Sequence, residues 1–265
     1  MTTIIFLGYA SLGACTGILA GLLGVGGGLV IVPVLVMLFQ DQGMNSTVVV
    51  HLAIGTSLAT IVMTSLSSVY AHHQQEAVLW PVAYQLAPGI VVGSWLGARV
   101  VHFLPTTTLK IIFGLFELLV AAKIGFGLRP RPGHQLPGRT AMSGVGGFIG
   151  LVSGIVGIGG GVLTVPFLTW CNISIRNAVA TSAACGIPIA VAGSLGFAVT
   201  GWSLTTLPPY STGYIHWPAL LGVTSTSVLT APLGARLAHG ISTTVLTRLF
   251  VLLLIFFGVR MLLSV

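Results

Sequence analysis

Eight long apolar runs constrain this chain more than any other feature of its sequence. They cover residues 4 to 39, 47 to 71, 79 to 103, 108 to 128, 141 to 171, 177 to 200, 214 to 238 and 244 to 264. A helix that crosses the hydrocarbon core of a bilayer needs about 20 apolar residues. Only 5% of the 265 residues are charged, whereas a soluble domain carries about 25%. The runs therefore predict an all-α protein that crosses the cell membrane several times.

The charged residues support this class and argue against several others. Ten Lys and Arg residues stand against three acidic residues, but they lie one or two at a time between apolar runs, which is typical of membrane flanks and not of nucleic-acid binding. The three cysteines lack metal-ligand spacing, and no Walker A stretch or catalytic cluster is present. We therefore expect a lipid bilayer and a small molecule as partners, without a metal, cofactor, nucleic acid or catalytic residue. No pattern indicates an oligomeric state.

The first and fifth runs are too long for one straight crossing, and each contains three consecutive glycines. These stretches read GLLGVGGGLVIVPVL from residue 21 and GIVGIGGGVLTVPFL from residue 154. Glycine costs a helix about 1 kcal/mol relative to alanine, and Pro33 and Pro166 each remove a backbone donor. The pattern predicts that a helix is broken at each glycine stretch.

The two stretches belong to an internal duplication. Residues 17 to 35 align with residues 150 to 168 at an offset of 133, with nine identities in nineteen positions. GTS at 55 to 57 corresponds to ATS at 180 to 182, and LGARVVH at 96 to 102 corresponds to LGARLAH at 233 to 239. We predict a first transmembrane repeat over residues 1 to 128, a basic linker over 129 to 140, and a second repeat over 141 to 265.

Paired glycine stretches, each followed by a T-S helix and an L-G-A-R motif, resemble the TauE/SafE sulfite exporter family over essentially the whole chain. The resemblance implies a transporter of small anions, with sulfite, sulfoacetate and related organosulfonates as the expected substrates. On this basis we expect a secondary transporter of the cytoplasmic membrane that works by alternating access around a midplane site. An anion channel is the alternative.

Broken helices at corresponding places in two repeats indicate a transport site. The freed N–H groups, and the positive end of the helix that follows, suit an anion. Close helix packing is the alternative role of glycine in membranes, and we expect it for the earlier glycines 17, 21 and 24. The residues predicted to form the substrate site are Gly26, Gly27, Gly28, Gly159, Gly160 and Gly161.

Polar partners for such a site must come from neighbouring helices. The repeated hydroxyl pairs are Thr56 with Ser57 and Thr181 with Ser182. They could donate to anion oxygens, or they could form capping or interhelical hydrogen bonds. The repeated arginines are Arg99 and Arg236, which suit bidentate oxyanion binding, although an arginine near a helix end more often reaches to the membrane interface. We include all six as candidate substrate-binding residues.

Glu117 lies near the middle of an apolar run, and the second half has no matching acid. A charged side chain at a helix centre costs about 2.5 to 3.5 kcal/mol on insertion scales. This asymmetry fits a coupling or gating role in one half. The alternative is a structural ion pair with Lys110 or Lys123.

The direction of the repeats depends on the glycine breaks. If each break is a turn, the two halves are inverted; if it is a kink, they are parallel. With the linker in the cytoplasm, inversion places seven basic residues inside and three outside, whereas parallel halves give five on each side. The positive-inside rule therefore favours inverted repeats. The inside residues would be Lys123, Arg129, Arg131, Arg139, Arg176, Arg236 and Arg248, and the outside residues Arg99, Lys110 and Arg260.

Overall fold

The computed structural model describes residues 3 to 23, 27 to 127, 133 to 237 and 243 to 265. Within these ranges the chain forms ten helices and one short β-hairpin. The helices of the first half are α1 (Thr3–Leu23), α2 (Gly28–Asp41), α3 (Val49–Gln74), α4 (Trp80–Phe103) and α5 (Thr106–Gly125). The second half contains α6 (Arg139–Val156), α7 (Gly161–Trp170), α8 (Ile175–Thr200), β1 (Ser211–Thr212), β2 (Ile215–His216), α9 (Trp217–Leu237) and α10 (Thr243–Leu263).

Several of these helices match the dimensions of a membrane. By length and composition, α3, α4, α6 and α8 are each able to cross a bilayer. Large apolar side chains are exposed along the helices, among them Val92, Leu195 and Leu229. Exposed apolar surface of this kind is typical of a face that lies against lipid or another protein, and the apolar length of the helices favours lipid. The nearly all-helical, multi-pass membrane class predicted from the apolar runs is confirmed.

The first and fifth apolar runs, which contain the glycine stretches, each correspond to two helices. The two helices of each run are antiparallel. Tyr9 near the start of α1 donates a hydrogen bond of 3.1 Å to the side chain of Gln42, which directly follows α2. In the second half, the backbone N–H of His134, ahead of α6, donates to the carbonyl of Trp170 at the end of α7, at 3.4 Å. α2 therefore runs back along α1, and α7 runs back along α6.

The first helix of each half packs against the fourth helix of the other half. Between α4 and α6 the contact is made by small residues whose backbones touch. A Cβ on Gly93 would overlap the Gly147 carbonyl, and one on Gly150 would overlap the Ile90 carbonyl. Contacts advance together along both helices, so α4 and α6 run parallel. The glycines in this contact are Gly89, Gly93, Gly97, Gly146, Gly150 and Gly154.

The contact between α1 and α9 has the same register. A Cβ on Gly13 would overlap the Val223 carbonyl, and these residues correspond to Gly146 and Leu86 at offsets of 133 and 137. Hydroxyl groups of α9 replace the glycines of α4. Thr226 donates to the Ala10 carbonyl at 2.8 Å, and Thr230 donates to the Ala14 carbonyl at 3.1 Å. α1 and α9 are therefore parallel and are held by interhelical hydrogen bonds.

α3 and α8 form the buried centre of the molecule. They cross antiparallel, because Leu58 lies beside Gly193 whereas Ser65, further along α3, lies beside the earlier residue Gly186. α5 and α10 pair antiparallel, with Gly114 against Gly258. The glycine stretches lie against α3 and α8, and this arrangement positions the candidate site.

Candidate functional site

The second glycine stretch forms a tight turn between α6 and α7. The N–H groups of Gly157 and Ile158 donate to the Ser153 carbonyl at 2.8 and 3.1 Å, which ends α6. The Gly160 carbonyl accepts from the N–H of Thr164 at 2.8 Å and so begins α7. Gly157 and Gly160 have φ angles of +78° and +77°, a region that glycine adopts without the steric cost of a Cβ.

Four backbone N–H groups at the start of α7 are without an acceptor among the residues that the structure describes. These are the N–H groups of residues 159 to 162. They lie at the positive end of the α7 dipole. Residues 157 to 161 are buried and Val162 is half-buried, so the donors of Gly159, Gly160 and Gly161 are withheld from water.

The two glycine stretches contact each other. A Cβ on Gly28 would stand 2.7 Å from the Gly157 carbonyl oxygen and 2.9 Å from the Cα of Ile158. Gly157 in turn lies against Ile54 of α3, and the Gly159 carbonyl lies against Gly186 of α8. The structure thus brings Gly27, Gly28, Gly159, Gly160 and Gly161 to one region, while Gly26 lies outside the described residues.

The repeated threonines form interhelical hydrogen bonds at equivalent places. Thr56 accepts from the backbone N–H of His216 at 3.0 Å, and Thr181 accepts from the backbone N–H of Leu79 at 3.0 Å. His216 directly precedes α9, and Leu79 directly precedes α4. Each threonine therefore satisfies an orphan donor at the start of a helix in the other half. This is the interhelical alternative that the sequence left open.

The repeated serines differ from each other. Ser57 donates to the Gly157 carbonyl at 2.9 Å and so joins α3 to the second glycine turn. Ser182 donates to the Val179 carbonyl of its own helix at 2.8 Å. The residue that matches Gly157 in the first half is Gly24, which lies outside the described residues. Of the two candidates, the structure brings Ser57 to the glycine turn.

Arg99 of the first L-G-A-R motif is not brought to the buried turns. Arg99 is exposed in the last part of α4, where a long basic side chain reaches the membrane interface. Arg236 lies near the end of α9, and its side chain is outside the described part of the structure.

Glu117 is fully buried, with 0% of its surface exposed. Among the described residues neither of its carboxyl oxygens has a hydrogen-bond partner. Lys110 instead donates to the Ser264 carbonyl at the end of α10. The ion pair with Lys110 or Lys123 is therefore not formed in the part of the chain that the structure describes.

Two further buried hydroxyls lie beside the second glycine turn. Ser153 on α6 and Thr164 on α7 are both 0% exposed, and their oxygens have no partner among the described residues. The sequence interpretation missed them. They could have been identified as polar residues that replace apolar ones within the duplication, because Ala20 and Ile31 occupy the matching positions at the offset of 133.

His216 joins the β-hairpin to α3 through its backbone hydrogen bond to Thr56. It lies in β2, outside the membrane-crossing helices, with its ring against Tyr9 and Phe39. The described residues contain no group of three His, Cys, Asp or Glu side chains that could hold a metal ion.

Comparisons with known proteins found one matching family and several similar proteins. The model of a family described as sulfite exporter TauE/SafE matches residues 9 to 261. A probable membrane transporter protein of Haemophilus influenzae is 37% identical over 253 residues, which cover 95% of this chain and 96% of that protein. A probable membrane transporter protein of Methanocaldococcus jannaschii is 29% identical, covering 87% of this chain and 85% of that protein. No solved structure matches the chain.

Proposed function

Because the chain belongs to the sulfite exporter TauE/SafE family of membrane transporters, we propose that it carries small sulfur-containing anions across the cytoplasmic membrane. Sulfite, sulfoacetate and related organosulfonates are the proposed substrates. The observation that carries the proposal is the meeting of the two glycine stretches at Gly28 and Gly157. Unpaired backbone at membrane depth persists where it lines a cavity or is buried in protein, and free N–H groups at a helix start bind anions.

The proposed substrate site is centred on the described glycines 27, 28, 159, 160 and 161, with Ser57 beside them. Gly26 completes the first stretch in sequence. Thr56 and Thr181 support the site by fixing the starts of α9 and α4. We assign Ser182 and Arg99 a peripheral part, in which Arg99 attracts anions at the membrane interface. Arg236 stays a candidate from the sequence.

We propose alternating access as the transport mechanism. The glycine turn is buried and its donors are withheld from water, so an anion reaches it only after the surrounding helices move. A site of this kind that opens to one face at a time couples binding to a conformational change. A continuously open channel would need a water-filled path along the same residues.

We propose that residues 1 to 128 and 141 to 265 are inverted repeats with broken helices, joined by the linker 129 to 140. Antiparallel packing of α1 with α2, α2 with α3, and α3 with α4 supports opposite directions for α1 and α4. The contacts that support these three pairs are Tyr9 with Gln42, Gly28 with Ile61, and His51 with the Leu104 carbonyl. Since α6 is parallel to α4, it opposes α1, its counterpart in the duplication.

We propose that Glu117 couples transport to an ion gradient. Its carboxyl group is buried without a cation among the described residues, which suits the binding and release of a proton or small cation as helices move. The helix that carries it, α5, packs on α10 and also contacts α3 of the central pair. Binding at Glu117 could therefore shift the helix against which the glycine turns lie.

The purified protein in proteoliposomes tests the proposal directly. We expect saturable uptake of labelled sulfite or sulfoacetate that is driven by a proton gradient or membrane potential. Unlabelled substrate on the opposite side should accelerate exchange, which is the signature of a carrier. A steady current in a planar bilayer that does not saturate as the substrate concentration rises would support the channel instead. Absence of flux for every sulfur anion in vesicles that contain folded protein would overturn the proposal.

A further inference from the structure

We propose that the anion is bound asymmetrically, at the start of α7, by the hydroxyl groups of Ser153 and Thr164 together with the free N–H groups of residues 159 to 162. This inference rests on the transport function proposed above and identifies the donors of its site. The ligand class is a small oxyanion, for which sulfite and the sulfonate group each offer three acceptor oxygens.

The first support is that these two hydroxyls are unused where similar hydroxyls are paired. A Ser or Thr inside a helix usually donates to a carbonyl one turn earlier. Thr169, on the same helix as Thr164, donates to the Val165 and Pro166 carbonyls at 3.0 Å each. Ser153 and Thr164 have no such bond among the described residues although both are fully buried. A buried unpaired hydroxyl is costly, so a ligand that pairs both of them is favoured.

The second support is position. The hydroxyl oxygen of Ser153 lies 3.5 Å from the place where a Cβ on Gly160 would stand. Thr164 is joined to the same turn by its backbone bond to the Gly160 carbonyl. The Ser153 hydroxyl therefore flanks the turn that presents the free N–H groups, and Thr164 lies in the first turn of α7, which follows it. Ser57 donates to the Gly157 carbonyl at 2.9 Å, and this bond satisfies a carbonyl oxygen that would otherwise repel an anion.

The third support is the asymmetry of the duplication. The positions that match Ser153 and Thr164 hold Ala20 and Ile31. Thr16, which lies beside Gly27 in the first half, already donates to the Leu12 carbonyl at 2.8 Å. Hydroxyl donors without partners are thus found at the second glycine turn and not at the described part of the first. The first glycine stretch supplies close backbone packing, and the second supplies the donors.

Binding of sulfite, sulfoacetate, acetate and chloride to the purified protein in detergent tests this site by calorimetry. We expect Ser153→Ala and Thr164→Val each to weaken sulfite and sulfoacetate binding by about tenfold to a hundredfold, the effect of losing a hydrogen bond to a charged group. Thr169→Val is the matched control on the same helix, because its hydroxyl is used within the helix. Thr164→Ser should retain the wild-type affinity.

The outcomes separate the site from the substrate class. Sulfur anions that bind the wild type and both variants within twofold overturn the site and leave the proposed function standing. Chloride binding that depends on Ser153 and Thr164, without binding of any sulfur anion, overturns the substrate class and retains the site. No anion binding by the wild type overturns both. Thermal unfolding without ligand controls for folding. The two variants should be no less stable than the wild type, because the lost hydroxyls have no hydrogen-bond partner among the described residues.

Discussion

Gly27 and Gly160 occupy matching positions in the two glycine stretches, but their backbones differ. Gly160 has a φ of +77°, and a Cβ there would overlap the side chain of Ile189. Gly27 has a φ of −61°, which any residue adopts. A Cβ on Gly27 would stand 3.1 Å from the Cβ of Thr16, so only a small shift is needed. The requirement for glycine is therefore conformational at Gly160 and a matter of space at Gly27.

We expect Gly160→Ala to be the more harmful of the two alanine substitutions. The left-handed conformation costs a residue with a Cβ about 1 to 2 kcal/mol, and contact with Ile189 adds to this. Thermal unfolding of both variants in the same detergent measures the difference, with Gly27→Ala as the matched control. Equal unfolding temperatures for the two variants would show that the turn relaxes to another conformation.

Glu117 allows a second comparison at the scale of one residue. Glu117→Gln keeps the size of the side chain and its hydrogen-bonding capacity but removes titration. If the carboxyl group couples transport to protons, the variant should bind substrate with wild-type affinity and lose acceleration by a pH gradient. Paired binding and flux measurements on the same preparation check this. Because no cation lies against the carboxyl group among the described residues, we expect no loss of stability.

A different result for Glu117→Gln would identify a different role. Destabilisation by about 3 to 5 kcal/mol is the cost of breaking a buried ion pair, and it would point to a cation outside the described residues. Unchanged coupling with unchanged stability would contradict the coupling role itself.

At the scale of elements, the strongest contacts join helices of different halves. α4 and α6 approach until backbone touches backbone, because glycines occupy both sides of the contact. α1 and α9 keep the same register, with Thr226 and Thr230 donating across the contact. Close packing of small residues and interhelical hydrogen bonds are the two forces that join helices in lipid. At the matching positions, α4 has the glycines Gly89 and Gly93, which pack closely, and α9 has Thr226 and Thr230, which donate hydrogen bonds.

Gly150→Ala should weaken the α4 and α6 contact, because its Cβ would overlap the Ile90 carbonyl. Overpacking of this kind costs about 1 to 3 kcal/mol. Gly144 lies on the same helix, and a Cβ there would meet nothing within 4 Å, so Gly144→Ala is a matched control that should be neutral or slightly stabilising. Thermal unfolding and the monodisperse fraction in detergent measure both. Similar losses in the two variants would contradict the proposed contact.

The sequence predicted the elements better than it predicted their partners. Glycine and proline act locally, so the end of α6 at Val156 and the start of α7 at Gly161 follow from residues inside the stretch. The partner of Thr56 is the His216 backbone, which is distant in sequence and cannot be deduced from residue type. Ser153 and Thr164 were not predicted, because the candidate hydroxyls were chosen for being repeated in both halves. These two hydroxyls occur in the second half alone. Glu117 was identifiable since a lone acid in an apolar run is conspicuous.

At the scale of the whole molecule, the halves interlock. α1 of the first half packs on α9 of the second, and α6 of the second half packs on α4 of the first. The N-terminal helix of each half therefore buries its small-residue face only when the other half is present. A movement of either half therefore also changes the contacts that the two halves share. Alternating access around a central site, as proposed above, requires coupling of this kind.

The last prediction concerns which loops face the cytoplasm if the two halves are inverted. The hydrogen bond between Arg176 and the Gln75 carbonyl places the ends of α3 and the start of α8 together, and the His134 bond to Trp170 places the linker beside the end of α7. The loop after α2, which holds Asn45, lies at the other end of α3. In inverted repeats, His134 and Gln75 should therefore share the cytoplasmic face, while Asn45 faces outward.

Single cysteines at these exposed positions test this arrangement in intact cells and inverted vesicles with a membrane-impermeant maleimide. The background carries Cys15→Ala, Cys171→Ala and Cys185→Ala, because Cys15 is exposed and would be labelled itself if it met water. We expect Asn45→Cys to react from outside, and His134→Cys and Gln75→Cys to react from inside. Among the described residues, Lys123 near the end of α5, Arg139 at the start of α6 and Arg176 at the start of α8 lie at the linker end of their helices, and the positive-inside rule therefore favours that orientation. Labelling of Asn45→Cys and His134→Cys from the same face would contradict the inverted arrangement, because the two positions lie at opposite ends of the central helices.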